Sequence, residues 1–251
     1  MRIVSLCPSL TELLFDLGLG DSLVGRTKFC VHPEGRVDAV EKVGGTKNPK
    51  LERIIQLAPD LVLLNEEENR REDAEALGAA GVACHVSFPR TALDTAAMVR
   101  SIAAAVHTPA EGERIALDIE ARHERVVRAA ATREQVSYAY LIWRDPWMTL
   151  NADTFVSALL GDAGGRNVFA SRAERYPAIT PDELRAANPD VVLLSTEPFP
   201  FTDVHADELS AASGLARDRF RIVDGELLSW HGSRTPSGID YAEHIMNAAR
   251  A

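Results

Sequence analysis

The side chains that could catalyse a reaction or hold a metal are scattered along this chain. None of the seven histidines forms an H-x-H or H-x-x-x-H pair, the kind of spacing that places two ligands on one side of a metal. The three cysteines, Cys7, Cys30 and Cys84, are odd in number and far apart, which favours free buried thiols over disulfides or a metal knuckle. The chain also has no glycine-rich phosphate loop and no G-x-S-x-G turn. The sequence predicts neither an enzyme nor a bare metal site.

Residues suited to holding a ligand follow hydrophobic runs that predict strands. Trp143 and Arg144 come directly after one such run, and Glu66 stands close to the end of another. Loops at the carboxyl ends of parallel strands are where α/β proteins bind ligands. We therefore expect these three side chains to face a ligand. The segment 197–201, with two phenylalanines between prolines, also follows a predicted strand, and there packing is favoured over binding.

The N-terminal half predicts strands that alternate with helices, as in a parallel sheet with helices on its faces. Its helix after the first strand opens at Pro8, where Ser9 and Glu12 predict a capping box, and stops at Gly18. The predicted strands are residues 2–6, 61–64 and 82–86, and the predicted helices are 8–18, 51–57 and 70–80.

The C-terminal half repeats this order of elements. A strand over 138–142 is followed by a helix that opens at Asp153–Phe155, a second helix over 181–187, and a strand over 191–194. Pro189-Asp190 precedes that strand as Pro59-Asp60 precedes 61–64, and the two Pro-Asp pairs stand 130 positions apart. A repeat of the whole order predicts two similar lobes.

The stretch 109–133 predicts one uninterrupted helix that joins the lobes. Proline stands at its start, with acids early and arginines late, as the helix dipole favours. The prediction is an α/β protein of two Rossmann-like lobes with parallel sheets, residues 1–108 and 134–251, joined by this long helix. The ligand is expected in the cleft between the lobes.

Composition excludes several classes of protein. A formal net charge of −10 without any basic stripe argues against nucleic-acid binding. No apolar run reaches the roughly 18 residues that a membrane span needs, so no membrane insertion is expected. Met1 leads directly into an apolar run without an export signal. This predicts a cytoplasmic monomer, or a periplasmic one if the gene encodes a leader ahead of Met1.

Four stretches carry a resemblance to a known family that covers essentially the whole chain. They are residues 2–12 (RIVSLCPSLTE), 43–54 (VGG through LERI), 59–62 (PDLV) and 164–169 (GGRNVF). In these the chain resembles the helical-backbone (TroA-like, class III) substrate-binding proteins of ABC importers, whose members bind cobalamin, siderophores, haem or metal ions. Within that family it is most similar to the cobalamin-binding branch.

The resemblance implies a ligand contacted by loops of both lobes, with aromatic faces for the flat ring of a corrinoid and a few polar groups for its amide arms. The chain departs from the branch at Thr46 and Asn65, where the cobalamin proteins carry tryptophan, so a more polar ligand is an alternative. The ligand-binding positions that it implies, together with those inferred above, are Phe29 with its neighbour Cys30, His32, Thr46, Lys47, Asn65, Glu66, Trp143, Arg144, Tyr176, Trp230, His231 and Arg234.

The resemblance further implies docking to the membrane subunits of an ABC importer through one acid on each lobe, Glu52 and Asp182. An acid in the first turn of a helix is also favoured by the dipole alone. His32 or His231 is a candidate axial ligand to a cobalt or iron centre. No cofactor is expected beyond the transported ligand, with cobalamin or another corrinoid favoured. The alternatives are a siderophore, haem or metal-ion binder, and a cytosolic carrier or sensor of the same fold.

Overall fold

The computed structural model describes residues 1–250 and contains two parallel β-sheets with helices packed on them. The strands are β1 (Ile3–Ser5), β2 (Leu23–Arg26), β3 (Glu41–Lys42), β4 (Leu61–Asn65), β5 (Cys84–Ser87), β6 (Val136–Leu141), β7 (Gly165–Asn167), β8 (Val191–Ser195) and β9 (Phe220–Val223). The α-helices are α1 (Pro8–Asp16), α2 (Leu51–Gln56), α3 (Arg71–Ala79), α4 (Ala92–Ala105), α5 (Pro109–Ala130), α6 (Phe155–Asp162), α7 (Pro181–Ala187), α8 (Asp203–Ser213), α9 (Gly225–Ser229) and α10 (Thr235–Arg250).

The chain divides into two compact units, each built on one sheet. The first unit comprises 1–89, 94–117 and 231–234, and the second comprises 90–93, 118–230 and 235–251. In the first the strand order is β3-β2-β1-β4-β5, and in the second it is β7-β6-β8-β9. All pairings within these sheets are parallel, which confirms the predicted α/β class.

The central strands are mostly apolar and covered on both faces, with the polar residues Ser5, Asn65 and Ser195 at the ends of β1, β4 and β8. Every residue of β1, β4, β6 and β8 is buried. Such continuous hydrophobic runs are typical of parallel strands and differ from the alternating pattern of a sheet with one wet face. In the first unit, Val4, Val62 and Leu64 pack with Ile54 of α2 and Leu77 of α3. This packing holds the central strands in place, and with them the points from which their loops leave.

Helix starts follow the local sequence, with one difference from the prediction. Thr180 and Glu183 form a capping box at α7: the Thr180 hydroxyl accepts a hydrogen bond from the Glu183 N–H, and the Glu183 carboxylate accepts one from the Thr180 N–H. The predicted capping box at α1 is wrong. That helix begins at Pro8 with Cys7 as its N-cap and no side-chain cap bond, so Ser9 lies inside the first turn. Its hydroxyl is free to contact other groups.

The repeated Pro-Asp pairs have the same structural role in both units. The Asp60 carboxylate accepts a hydrogen bond from the backbone N–H of Arg2, which enters β1, at 2.6 Å. The Asp190 carboxylate accepts one from the backbone N–H of Ser137 in β6 at 2.7 Å, and another from the Ser137 hydroxyl at 2.6 Å. Each aspartate thus satisfies the first N–H groups of the neighbouring central strand. This shared contact explains why the pair recurs.

Most predicted elements are confirmed within a few residues. The helix over 181–187 has the predicted bounds, and the strands at 61 and 191 each extend one residue further than predicted. The long helix α5 ends at Ala130 rather than at 133. Within residues 1–250, no helix combines the length and apolarity needed to cross a membrane.

The Asp190 contact gives a pH-dependent stability. Hydrogen bonds from the hydroxyl and backbone of Ser137 hold the pKa of the Asp190 carboxyl below its usual range. The stabilisation is therefore present above about pH 4, the ordinary aspartate pKa, and is lost as the pH falls through the lower pKa of the folded state. Because the carboxylate is exposed, we expect Asp190→Asn to lower the free energy of unfolding at pH 7 by only about 0.5–1 kcal/mol.

Urea titrations of wild type and Asp190→Asn at pH 7 and at pH 3 test this expectation. The difference between the two proteins should shrink at the lower pH, where the wild-type carboxyl takes up a proton. Asp218→Asn, an exposed aspartate in the turn before β9, is the matched control and should change stability little at either pH. A difference that stays constant between the two pH values would contradict the assignment.

Candidate ligand-binding loops

Each sheet has one point where its strand order reverses, and loops open there at the carboxyl ends of the strands. In the first unit the chain runs outward from β1 to β3 and returns at β4, so the reversal lies between β1 and β4. In the second unit it lies between β6 and β8. Such switch points are the usual binding positions of open α/β sheets, because the loops diverge to opposite sides and leave a crevice.

At the switch point of the second unit, aromatic rings lie together on the loops after β6 and β8. Trp143 contacts Phe199 edge-to-face, with ring centroids 5.7 Å apart, and Phe199 contacts Phe201 at 4.7 Å. Trp147 stacks on Phe201 at 5.9 Å. Phe201 is buried, as the prediction of packing for this segment required, whereas Trp143 is 42% exposed. The cluster therefore offers an exposed aromatic edge on a packed base.

Arg144 is held by carboxylates of its own unit. Its guanidinium donates to Glu208 at 3.1 Å and 2.5 Å and to Asp145 at 2.7 Å, and it lies 5.6 Å from the Trp147 ring. The hydrogen bonds from Arg144 in turn lower the pKa of the Glu208 carboxyl. The structure thus gives Arg144 a role in supporting the aromatic loop.

The two other predicted aromatics of the second unit differ in exposure. Tyr176 is 38% exposed, with the Arg175 guanidinium 5.9 Å from its ring. Trp230 is only 8% exposed, and its indole N–H donates to the Glu197 carboxylate at 2.9 Å. Tyr176 offers a face to a ligand, whereas Trp230 is packed inside its unit.

In the first unit, the loop after β2 is organised by a buried arginine. Arg26 is 2% exposed and donates to the carbonyl oxygens of Val37 and Cys30, both at 2.8 Å. These bonds fasten the segment on which Phe29 projects, 51% exposed, with the Lys28 ammonium 4.9 Å from its ring. His32, half-buried, lies on the same loop. A charged residue at the end of a buried strand is rare, and this signal marks Arg26 as a residue that sequence analysis missed.

An amide side chain ties the loop that carries Thr46 and Lys47 to the end of β4, where Asn65 stands. Asn69 donates to the carbonyl oxygens of Leu6 at 2.9 Å and Thr46 at 3.0 Å. Lys47 is exposed and donates to the Glu67 carbonyl, whereas Thr46 and Asn65 are buried. The structure therefore places Asn65 as a support within the loops.

The acidic run after β4 is split between solvent and interior. Glu66 is exposed and lines a cavity of about 450 Å³ together with Asn65, Asn69 and Val86. Glu68, which sequence analysis did not single out, turns inward: burial raises the pKa of its carboxyl, opposed by nearby Lys47 and by a hydrogen bond with Thr46. In a run of three glutamates, nothing in the sequence distinguishes Glu68, the one that turns inward, from the two before it.

His231 and Arg234 belong to the first unit and are engaged there. His231 is 6% exposed, with its Nδ1 3.2 Å from the Ser9 hydroxyl and its Nε2 2.9 Å from the Asn65 amide nitrogen. Arg234 pairs with Glu12 at 2.5 Å. Both ring nitrogens of His231 thus face protein partners, so axial ligation by His231 requires the loss of one of these contacts. Among residues 1–250, no group of three or more His, Cys, Asp or Glu side chains is arranged to hold a metal.

The two predicted docking acids stand at the same helix position. Glu52 is the second residue of α2 and Asp182 the second residue of α7, and both side chains are exposed. Asp182 pairs with Arg185 one turn later, at 2.5 Å. The helix dipole favours an acid at either position, so the presence of an acid alone says nothing about docking. The observations that bear on docking are that both carboxylates are exposed and that they occupy the same position in their helices.

Comparison with known proteins agrees with this geometry. A family model described as periplasmic binding protein matches residues 3–218. The vitamin B12-binding protein of Vibrio parahaemolyticus serotype O3:K6 is 30% identical over 250 residues, 99% of this chain and 90% of the relative.

Two solved structures are similar over almost the whole chain. The periplasmic vitamin B12 binding protein BtuF of Vibrio cholerae has a TM-score of 0.86 at 22% identity, with 99% of this chain and 97% of that chain covered. The periplasmic heme-binding protein RhuT of Roseiflexus sp. RS-1, in apo form, has a TM-score of 0.85 at 27% identity, covering 99% and 98%. The resemblance seen in the sequence is confirmed: the chain belongs to the periplasmic binding protein family and is a binding protein rather than an enzyme.

Proposed function

We propose that this chain is the substrate-binding component of an ABC importer and that its transported ligand is a corrinoid such as vitamin B12. The observation that carries the proposal is the presence of exposed aromatic rings on the loops at the carboxyl strand ends of both units. These rings are Phe29 in the first unit and Trp143 and Tyr176 in the second. The ligand is cargo, and the chain performs no chemistry on it.

Exposed aromatic faces suit a large flat ring. Single exposed apolar side chains are common on protein surfaces, and what matters here is where the aromatic ones stand: all three exposed Phe, Trp and Tyr side chains among residues 1–250 lie on these loops. A stacked or edge-on aromatic contact contributes about 0.5–1.5 kcal/mol beyond the area that it buries. The supports under these rings, Arg26 and the Phe199–Phe201 pair, hold them in place before the ligand arrives. Preorganisation of this kind saves the entropy of ordering loops on binding.

The charge state of the loop arginines favours a corrinoid over haem. Haem presents two carboxylates, which in proteins are typically bound by arginine. Here Arg144 pairs with Glu208, Arg175 with Asp153 at 2.9 Å and Arg234 with Glu12. Each guanidinium thus already has a carboxylate partner within its own unit, although Arg175 shares Asp153 with Arg90. The amide arms of a corrinoid need only hydrogen-bonding groups, which Thr46, Lys47 and Glu66 supply under this proposal.

Haem is the second candidate ligand. It is favoured by the likeness to the heme-binding protein RhuT, at 27% identity over nearly the full length. The exposed ammonium of Lys47 is a cation that a haem carboxylate would use. The two candidates differ in charge, so direct titration separates them.

The proposed partner is the membrane part of the importer, and the proposed contacts are Glu52 and Asp182. Their support is the matched position on α2 and α7, the helices that lead into β4 and β8. Two exposed carboxylates at equivalent places in two similar units suit a partner that is itself built from two similar subunits. The proposed compartment is the periplasm, as in the family to which the chain belongs.

Calorimetric titration with cyanocobalamin, cobinamide and haemin tests the ligand assignment. We expect cyanocobalamin to bind and to quench tryptophan fluorescence, because Trp143 lies on a binding loop. Phe29→Ala, Trp143→Ala and Tyr176→Ala should each weaken binding by about 3- to 30-fold, the loss of one aromatic contact with its buried area. Leu117→Ala, which removes an exposed apolar side chain on α5, is the matched control and should leave affinity unchanged.

Two results would count against the corrinoid assignment. Binding of haemin without binding of either corrinoid would replace it with the second candidate. Absence of all binding by a folded protein, judged by its circular dichroism, would remove both.

Uptake through the importer of the same organism, reconstituted in vesicles, tests the docking acids. We expect Glu52→Arg and Asp182→Arg each to reduce uptake of cyanocobalamin at least tenfold while leaving its affinity unchanged, because a reversed charge repels the cations of the partner. Glu124→Arg, an equally exposed acid on α5, controls for net charge. Unchanged uptake by the double variant would show that these acids take no part in docking.

A further inference from the structure

Four residues of the C-terminal part of the chain are built into the first unit. These residues, His231–Arg234, are called the 231–234 segment, and the residues on both sides of it belong to the second unit. His231 is buried at one end, and at the other end Arg234 pairs with Glu12. Gly232 has a backbone φ of 109°, which residues other than glycine rarely adopt. The segment therefore has a specific backbone conformation, and the contacts of its buried His231 can stabilise it.

The orientation of the Asn65 amide determines what His231 can do. Its oxygen accepts hydrogen bonds from the backbone N–H groups of Glu67 at 2.9 Å and Glu68 at 3.3 Å. Its nitrogen therefore points the other way, toward the Ser87 carbonyl at 3.1 Å and His231 Nε2 at 2.9 Å. An amide nitrogen only donates, so Nε2 must be the acceptor.

The proton of the neutral His231 ring consequently sits on Nδ1. From there it donates to the Ser9 hydroxyl, 3.2 Å away, and Ser9 in turn contacts the Cys7 sulfur at 3.3 Å. A histidine that donates to a serine cannot act as its base, which agrees with a binding role rather than nucleophilic catalysis. Burial favours the same neutral ring and lowers the pKa of His231 to about 4, opposed in part by a backbone hydrogen bond.

The titratable groups on the surrounding elements place no uncompensated negative charge beside His231 that would favour its charged form. Cys7 at the start of α1 is neutral at ordinary pH, because burial raises the pKa of its thiol to about 12. Glu12 on α1 is compensated by Arg234. Glu68 turns toward Thr46 and Lys47.

We propose that Asn65 and Ser9 are positioning residues: they fix the tautomer of His231 and thereby hold the 231–234 segment on the first unit in the conformation that binds ligand. Asn65, which the sequence suggested as a ligand contact, acts through His231 instead. The effect on ligand affinity rests on the proposed function. The tautomer of His231 and the protection of the 231–234 segment from hydrogen exchange do not depend on that function.

Nitrogen NMR of protein labelled with ¹⁵N-histidine tests the tautomer, with the signal of His231 assigned by its loss in His231→Gln. We expect the Nδ1–H form in the wild type at neutral pH. In Asn65→Asp an acceptor replaces the donor that faces Nε2, so the ring should take up a second proton, and the pKa of His231 should rise from about 4 to above 6.5, the ordinary value for histidine. The other six histidines are internal controls and should not move.

Hydrogen exchange of the backbone and affinity for cyanocobalamin test the positioning role. His231→Gln keeps an acceptor toward Asn65, whereas His231→Phe keeps a ring of similar shape without either hydrogen bond. We expect His231→Phe to exchange at least tenfold faster over residues 229–236 and to bind at least tenfold more weakly than wild type. His231→Gln should stay within about threefold in both measurements.

The possible results are separable. An Nε2–H or charged His231 in the wild type, or an unchanged pKa in Asn65→Asp, would overturn the tautomer assignment. Normal exchange and affinity in His231→Phe would overturn the positioning role even if the tautomer is as expected. If Asn65→Asp does not fold, the wild-type NMR spectrum still tests the tautomer, and the two His231 variants still test the positioning role. If no corrinoid binds, the proposed function fails while the tautomer and exchange results stand on their own.

Discussion

Both sheets are covered by helices on their two faces, and this burial decides where polar chemistry can exist in the molecule. A fully buried parallel strand accommodates apolar side chains along its length, so a functional polar group must stand where the strand ends. The ends of β1 and β4 in the first unit and of β6 and β8 in the second are therefore the places where side chains become informative. There the structure puts a histidine network in one unit and an aromatic cluster in the other. The two units therefore share an architecture but differ in the chemistry at their strand ends.

Buried polar side chains hold the loops at these ends, and several of them pair with backbone atoms. Arg26 fastens the loop of Phe29 through two carbonyl oxygens, and Asn69 joins three loop segments in the first unit. At the opposite end of the strands, the exposed carboxylate of Asp190 pairs with the backbone at the start of β6. Bonds of this type leave few alternatives for the chain, since breaking one leaves a buried donor or acceptor without a partner. The loops that carry Phe29 and Thr46 are thus restrained by hydrogen bonds within the first unit itself.

Sequence patterns were sufficient for the elements and for the repeat, because hydrophobic runs and Pro-Asp turns are local signals. The end of a predicted strand pointed to Trp143 and the family resemblance to Phe29, and both side chains are exposed in the structure. Sequence patterns did not anticipate the direction of each polar side chain, which depends on contacts between residues more than a hundred positions apart. Ser9 illustrates the limit: its spacing to Glu12 suited a capping box, yet Ser9 lies against His231. Nothing local distinguishes a serine that caps a helix from one that hydrogen-bonds to a distant ring.

The burial of the thiols has a consequence for the compartment in which the chain can work. Cys7 and Cys30 are fully enclosed, and burial raises the pKa of both, as it does for the half-buried Cys84. Only the thiolate attacks a disulfide or an oxidant, so these sulfurs react slowly even where oxidants are abundant. An odd number of cysteines would be a hazard for an exported protein if they were exposed, since mispaired chains would accumulate during folding. Enclosure removes that hazard for Cys7 and Cys30 once folding is complete, so the half-buried Cys84 is the thiol that an oxidising compartment would reach first.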